Sequence, residues 1–331
     1  MIISRTPFRV SFFGGGTDYP EWYRENGGAL LATTIDKYCY ISLRELPPFF
    51  DHKFRVVYSI VENVQDIGQI QHPAVRGVLE WLKVTKGLEI HHDGDLPARS
   101  GLGSSSAFTV GLINAVHALE GRYISKEALA KEAIHVEQCV IRERVGLQDQ
   151  VSTAFGGFNH ITIAQNGAYS VSPMVLPRQR LEALQDHLLL VFTGISRTAA
   201  EVAQSVVGNM KNKVTEMRTM QQMVDRAIEI LSSPTTDIIE FGRLLKEAWA
   251  LKRSLSDRVS NPTVDHLVET AMHAGAIGGK LLGAGGGGFM LLFVRPEDHI
   301  QVRAALGKLI SVPFRFEMSG SRIALYQPDG L

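Results

Sequence analysis

The stretch Leu96-Pro-Ala-Arg-Ser-Gly-Leu-Gly-Ser-Ser-Ser-Ala107 decides how the rest of the chain is read. It runs directly into AFTVGLINAVHALEG (107–121), an apolar run at helical spacing that Gly121 stops. Small residues let a backbone approach a bulky anion closely. Unpaired N–H groups at a helix start, with the positive end of the helix dipole, attract phosphate. The consecutive hydroxyls of Ser104, Ser105 and Ser106 add groups that reach phosphate oxygens or a metal. The plain alternative is a flexible loop with a serine cap. A Walker loop is excluded, because no G-x-x-x-x-G-K-[ST] occurs and Gly101–Ser106 carries no lysine.

Two further glycine-rich segments lie outward of it. On the N-terminal side, Thr6-Pro-Phe-Arg-Val-Ser-Phe-Phe-Gly-Gly-Gly-Thr-Asp-Tyr19 puts Arg9 inside a predicted strand and Asp18 just past three glycines. An arginine in a mostly apolar strand is costly unless it meets an anion or carboxylate, or lies on an exposed edge. On the C-terminal side, Lys280-Leu-Leu-Gly-Ala-Gly-Gly-Gly-Gly-Phe289 holds a formal G-x-G-x-x-G at Gly283, Gly285 and Gly288. A dinucleotide fingerprint needs strand, glycines, then helix. Here a predicted helical stretch comes first and the strand FMLLFV follows. The glycines read instead as backbone packed closely under another loop or a ligand.

Composition bounds the function classes. The 331 residues predict two domains, with one large domain as the alternative. Lys plus Arg and Asp plus Glu are 34 each, so the formal charge is zero. That argues against a nucleic-acid binder, whose affinity comes from phosphate neutralisation. Cys39 and Cys139 are the only cysteines, too few for a disulfide framework or a four-cysteine zinc site. The N-terminus carries no signal-peptide pattern, and the longest apolar runs fall far short of the ~20 residues that span a bilayer. A cytoplasmic protein without membrane segments is expected, and the sequence does not give its oligomeric state.

Strands are predicted at 2–13, 30–45, 53–61 and 88–94, then near 155–164 and 168–176. A helix is predicted at 73–86, and Ser125 caps another reaching about Arg144. GLQDQ (146–150) reads as a loop. Helices dominate from about Arg197 to Gly275, then come a strand at 288–295, a helix at 297–309, and closing strands RFEMSG and RIALYQ. The order predicts an α+β protein with domains 1–185 and 186–331.

The three glycine segments, in this order, resemble the GHMP kinases, the superfamily of galactokinase, homoserine kinase and mevalonate kinase. The middle one resembles the family's P-x-x-x-G-L-G-S-S-A phosphate loop. The resemblance spans residues 6 to about 289. It implies a two-domain GHMP kinase fold: an N-terminal domain like domain 2 of ribosomal protein S5 and a ferredoxin-like C-terminal domain. It implies ATP and Mg²⁺ as cofactors. By resemblance the nucleotide is held by Pro97, Ser100, Gly101, Leu102, Gly103, Ser104, Ser105 and Ser106, with Gly285 and Gly286.

Galactokinases carry an E…G-x-x-D-Q arrangement like Glu137…GLQDQ here. The resemblance makes Asp149 the catalytic base, Arg9 its partner, and Ser105 with Glu137 the metal ligands. An ordinary aspartate pKa of about 3.9 lies well below that of a sugar hydroxyl, so Asp149 would accept the proton late in a loose transition state. Where galactokinases read G-E-H-T-D-Y, this chain has Gly14-Gly-Gly-Thr-Asp-Tyr19, retaining Asp18 as a reader of ring hydroxyls. Gly15 and Gly16 replace Glu and His, which opens space and removes a negative charge, and Thr17 completes the substrate turn. This variant resembles the bacterial D-glycero-D-manno-heptose 7-phosphate kinases, so the implied acceptor is the anomeric hydroxyl of a sugar phosphate. The sugar's own phosphate then requires local cations, and Lys37, Arg99 and Arg197 are the candidates. The alternatives are a neutral-sugar 1-kinase of the fucose or galactose type and an inactive ligand-binding relative.

Overall fold

The alternating, β-branched and aromatic run at the start of the chain forms β1 (Ile2–Phe13). The structure, a computed structural model, describes residues 1–195 and 199–328. After β1 come α1 (Pro20–Asn26), β2 (Gly28–Glu45), β3 (Phe54–Val57), β4 (Val61–Val64), α2 (Pro73–Trp81) and β5 (Leu88–Gly94). They are followed by α3 (Ser104–Leu119), α4 (Lys126–His135), α5 (Gln148–Phe155), β6 (Phe158–Ile163), β7 (Tyr169–Pro173) and α6 (Arg178–Asp186). The second half contains β8 (Leu188–Phe192), α7 (Ala199–Asn209), α8 (Val214–Ser232), α9 (Ile239–Ser254), α10 (Pro262–His273), β9 (Ala276–Leu281) and β10 (Phe289–Val294). It closes with α11 (His299–Ala305), β11 (Ile310–Val312), β12 (Phe316–Glu317) and β13 (Arg322–Tyr326).

Two sheets result. The nine-stranded one has the path β13-β1-β2-β5-β3-β4, with β6, β7 and β12 branching from β2. The four-stranded one has the order β11-β8-β10-β9, with antiparallel neighbours. With helices between β8 and β9 and α11 between β10 and β11, this is the ferredoxin-like β-α-β-β-α-β arrangement.

β10 explains why FMLLFV reads as an unbroken apolar run. Phe289, Leu291 and Phe293 face the core shared with the large sheet, while Met290, Leu292 and Val294 face the core under α7 and α10. A strand buried on both faces does not alternate in polarity. An aromatic chain, Phe158 to Phe12 to Phe241 to Phe293, ties the two sheets together with centroid spacings of 5.6, 5.5 and 6.2 Å. Among the described residues no helix is long and apolar enough to cross a membrane.

Four expectations are corrected. RFEMSG and RIALYQ were assigned to a domain at 186–331, but β12 pairs with β2 and β13 with β1, so the chain returns to its first sheet. The predicted strand 53–61 is a hairpin, because Tyr58 donates its N–H to Ile60 O and turns the chain. The residues before the third glycine cluster form β9, and the cluster links two antiparallel strands. GLQDQ is no loop, since α5 starts at Gln148. No capping residue announces that start locally; Asp18, far away in sequence, accepts the Gln148 N–H at 3.2 Å.

Candidate active site

Arg9 is buried in β1 and its charge is fully engaged. Its Nε and Nη2 donate to the two carboxylate oxygens of Asp149 at 2.7 and 2.9 Å, and Nη1 donates to Gly101 O at 2.6 Å. The planar fork suits this bidentate pairing. Asp149 lies in the first turn of α5 with its side chain 29% exposed, so the pair is reachable from solvent. The Arg9 backbone N–H also donates to Leu102 O at 2.9 Å. β1 thereby holds the middle glycine segment by main chain and side chain together.

That segment turns through Gly101 and Gly103, at φ +85° and +74°, before α3 begins at Ser104. Among the described residues no side chain caps α3, so its first N–H groups face outward as an anion cradle. The predicted helix started at 107; the structure draws all three serines into its first turn. Ser104 Oγ accepts the Arg99 N–H at 3.2 Å, and Ser105 is exposed. Ser100 is buried with no partner for its hydroxyl among the described residues, Leu102 is buried, and Pro97 is exposed.

The third segment packs under the second, as its glycines suggested. A Cβ on Gly283 would lie 2.5 Å from Gly101 Cα, and one on Gly288 2.3 Å from Ser100 O. Phe289 donates its N–H to Ser100 O at 3.0 Å. Gly285 and Gly286 turn the other way. A Cβ on Gly285 would meet Val259 O at 2.5 Å, and Gly286 N–H donates to Val259 O at 2.8 Å.

In the first segment, Asp18 accepts from Gly16 N at 3.0 Å and Gln148 N at 3.2 Å. Burial and the Asp149 charge push its carboxyl up, and the two N–H donors pull it back. Gly146 lies so close that a Cβ there would overlap Asp18 Oδ2. Thr17 is wholly buried, donating to Gly14 O at 2.8 Å and Ala29 O at 3.0 Å, so its hydroxyl shapes the turn and does not face the site. Gly15 and Gly16 face Ser11, Gln148 and Met217.

Glu137, only 1% exposed, accepts from Ser106 Oγ at 2.9 Å and from Gln150 Nε2. Burial pushes its carboxyl up to about 7, against the pull of bonds from Thr109, Gln150 and Ser106. The serine bonded to Glu137 is thus Ser106, one position past the predicted Ser105. Successive residues on a helix point about 100° apart, so the neighbouring hydroxyls of Ser105 and Ser106 diverge.

Of the predicted phosphate-reading cations, Lys37 donates to its neighbour Asp36 at 3.1 Å and lines a cleft of about 660 Å³ with Pro97, Phe192 and Ile310. Arg99 is exposed at φ +58°; burial pushes the nearby Glu143 carboxyl up, and the Arg99 charge opposes that rise. Arg197 lies outside the described residues. Two cations that the sequence reading missed do cluster with Arg9. Lys252 Nζ in α9 donates to the carbonyls of Leu281 and Gly283, and Lys280 Nζ in β9 donates to Phe12 O at 2.8 Å. Burial and the Arg9 guanidinium push Lys252 down to about 7, with Asp18 opposing; burial, Lys252 and Arg9 push Lys280 well down. A lone charge between glycines and leucines was a usable signal for Lys280, the same one that picked out Arg9. Lys252 sits among basic residues in a last helical turn and carries no such signal.

Comparison with known proteins supplies the rest. The model of the GHMP kinase N-terminal domain matches residues 58–157 and that of the C-terminal domain residues 221–311. The chain is 28% identical over 318 residues to the D-glycero-alpha-D-manno-heptose 7-phosphate kinase of Campylobacter jejuni, covering 93% of each chain. It is 30% identical over 273 residues to the mevalonate kinase of Thermococcus sibiricus, covering 80% of this chain and 75% of that one. In fold it matches a crystal structure described as a D-glycero-D-manno-heptose 1-phosphate kinase from Bacteroides thetaiotaomicron, with a TM-score of 0.81 and 24% identity over 99% of this chain and 100% of that one. Domain models, long-range identity and fold converge, and the chain belongs to the GHMP kinase family.

Proposed function

We propose that the protein is an ATP-dependent kinase that phosphorylates the anomeric hydroxyl of a sugar phosphate, D-glycero-D-manno-heptose 7-phosphate. The observation that carries this is the Arg9–Asp149 pair beside the uncapped start of α3, with the buried Asp18 bonded to the N–H of Gln148, the residue before Asp149. The cradle of 100–106 binds and orients the triphosphate. Asp149 holds the acceptor hydroxyl and takes its proton late in transfer, and Arg9 fixes the Asp149 carboxylate. Asp18, its oxygens already accepting backbone N–H groups, keeps lone pairs for a sugar hydroxyl. A nucleoside-triphosphate donor goes with a cytoplasmic location.

Glu137 fits a Mg²⁺ ligand, because its Oε1 is buried with no partner among the described residues. Mg²⁺ needs few protein oxygens when phosphates and waters complete its shell, so Glu137 with the adjoining hydroxyl of Ser106 suffices. Bound there, it would neutralise charge on the phosphates. Glu137→Gln is expected to raise the Mg²⁺ concentration for half-maximal rate. An unchanged metal response with a lowered rate would make Glu137 structural.

In this reading Lys252 meets the anionic acceptor. Its free-enzyme charge is lost as pH rises through about 7, since its pKa is lowered. Acceptor binding above that pH then requires proton uptake, so KM for the acceptor rises with pH by up to about tenfold per unit. Lys252→Met is expected to raise KM and flatten that slope; a slope that survives the substitution assigns it to another group. The deciding experiment for the function is a screen of heptoses, neutral or phosphorylated at C1 or C7, and of hexoses, neutral or phosphorylated at C1 or C6, with product phosphate located by NMR. Turnover of heptose 7-phosphate at C1 supports the proposal. Preference for unphosphorylated heptose, fucose or galactose replaces it with a neutral-sugar kinase.

A further inference from the structure

β1 and α5 bring together a second pair beside the reacting one. Ser11 follows Arg9 on the same face of β1, about 7 Å along by ordinary strand rise. Gln148 precedes Asp149 at the start of α5. Ser11 is 6% exposed and Gln148 4% exposed, yet Ser11 Oγ and Gln148 Nε2 have no hydrogen-bond partner among the described residues. Buried polar groups are normally paired, and an orphan marks a strained or functional position. Two such orphans converge here. A Cβ built on Gly15 would meet only Ser11 Oγ, at 3.4 Å, and Gln148 Oε1, at 3.9 Å. The missing side chain of Gly15 therefore leaves a notch whose described walls are these two polar groups. Asp18 borders it through its bond from the Gln148 N–H.

We infer that Ser11, Gln148 and the bare backbone of Gly15 form a hydroxyl-reading subsite that selects the acceptor sugar. The inference rests on the sugar-kinase reading above. Its chemistry is specific. Ser11 offers one donor and two acceptor lone pairs, and the Gln148 amide offers two donors and an acceptor. Neither is charged, so the notch takes a neutral hydroxyl of the sugar and not its phosphate. The phosphate must be met by cations elsewhere. A side chain at position 15 would fill the space that the hydroxyl and its carbon occupy. Because the notch adjoins Asp149 in sequence and Arg9 in the strand, a hydroxyl seated there fixes the sugar relative to the group that reacts. Ser11 and Gln148 are positioning residues in this scheme, acting on the acceptor and not on the nucleotide.

The test uses the full chain and the best acceptor from the screen, with its monodeoxy analogues. Gly15→Ala is a clean probe, because its Cβ meets no atom closer than 3.4 Å and Gly15 is not in the left-handed region. Gly15→Ala, Ser11→Ala and Gln148→Leu are each expected to raise KM for the acceptor about 5–100-fold, the usual loss of a paired buried group. KM for ATP should stay within about twofold, with thermal stability near wild type for Gly15→Ala. One deoxy analogue should be poor for the wild type yet lose nothing further in Ser11→Ala or Gln148→Leu, which a purely structural defect would not produce. The identity of the best acceptor decides the sugar reading separately, and the variants are then scored on that acceptor whatever it is. Folded variants with unchanged acceptor KM overturn the subsite. So does a loss spread equally over every deoxy analogue and over ATP.

Discussion

Replacing Asp149 with Asn leaves a folded enzyme whose kcat is lower by about 10²–10⁴-fold, the ordinary weight of a positioned acid–base group. Asn is nearly isosteric and still offers Arg9 one oxygen, and Arg9 keeps the Gly101 carbonyl at 2.6 Å. The charge and the capacity to accept a proton are what disappear. Arg9→Lys keeps the cation but loses the planar fork that reaches both Asp149 oxygens and Gly101 O at once. Its kcat is expected to fall about 10–10²-fold. Residues that act as one unit are strongly non-additive, so the double variant should fall little below Asp149→Asn alone. Single-turnover rates on enzymes matched by thermal unfolding check all three. Near-normal turnover of folded Asp149→Asn removes Asp149 from the mechanism.

Gly283→Ala is expected to be nearly as damaging without touching any charged group. Gly283 sits at φ +68°, and its Cβ would lie 2.5 Å from Gly101 Cα and 3.1 Å from Gly101 O. A left-handed conformation costs a non-glycine residue roughly 1–2 kcal/mol before any clash. Gly101 cannot yield easily, because it is at φ +85° and its carbonyl is held by Arg9. The phosphate loop must move, so KM for ATP should rise by about tenfold or more while the unfolding midpoint drops. Gly208→Ala is the matched control. It is exposed in α7 with no atom of the described residues within 4 Å of its Cβ position, and a helical glycine there costs about 0.5–1 kcal/mol relative to alanine. The control should be neutral or slightly stabilising. Equal behaviour of the two variants would mean that the close approach of Gly101 and Gly283 does not hold the loop.

What the sequence revealed and what it hid divide along physical lines. Arg9 was legible because a charge in an apolar strand needs a partner, and the glycine clusters were legible because backbone contact tolerates no side chain. The strand at 289–294 was legible from its unbroken apolar run. The start of α5 was hidden because its cap is Asp18, supplied from the first segment. β9 was hidden because AIGGKL has glycines where a strand ordinarily shows branched residues, and close neighbours such as Gly242 O require them there. The destination of β12 and β13 was hidden because nothing local tells a strand which sheet it will join. Lys252 was hidden for the same reason: its significance comes from Gly283 and Arg9, not from α9.

The pairing of β13 with β1, from Ile2 opposite Tyr326 to Arg5 opposite Arg322, has a consequence for how the molecule is made. Arg322–Tyr326 follows Ile2–Phe13 by most of the sequence, so β1 emerges well before its outer neighbour. At about 5–20 residues per second, the interval is roughly 15–60 s, during which β1 offers one unpaired edge. Such an edge is a template for another chain. The nascent chain is therefore exposed to wrong pairing for most of its synthesis, and closing so distant a contact is slow. Until residues 322–326 have emerged, the Ile2–Arg5 edge of β1 lacks the strand that covers it in the folded chain.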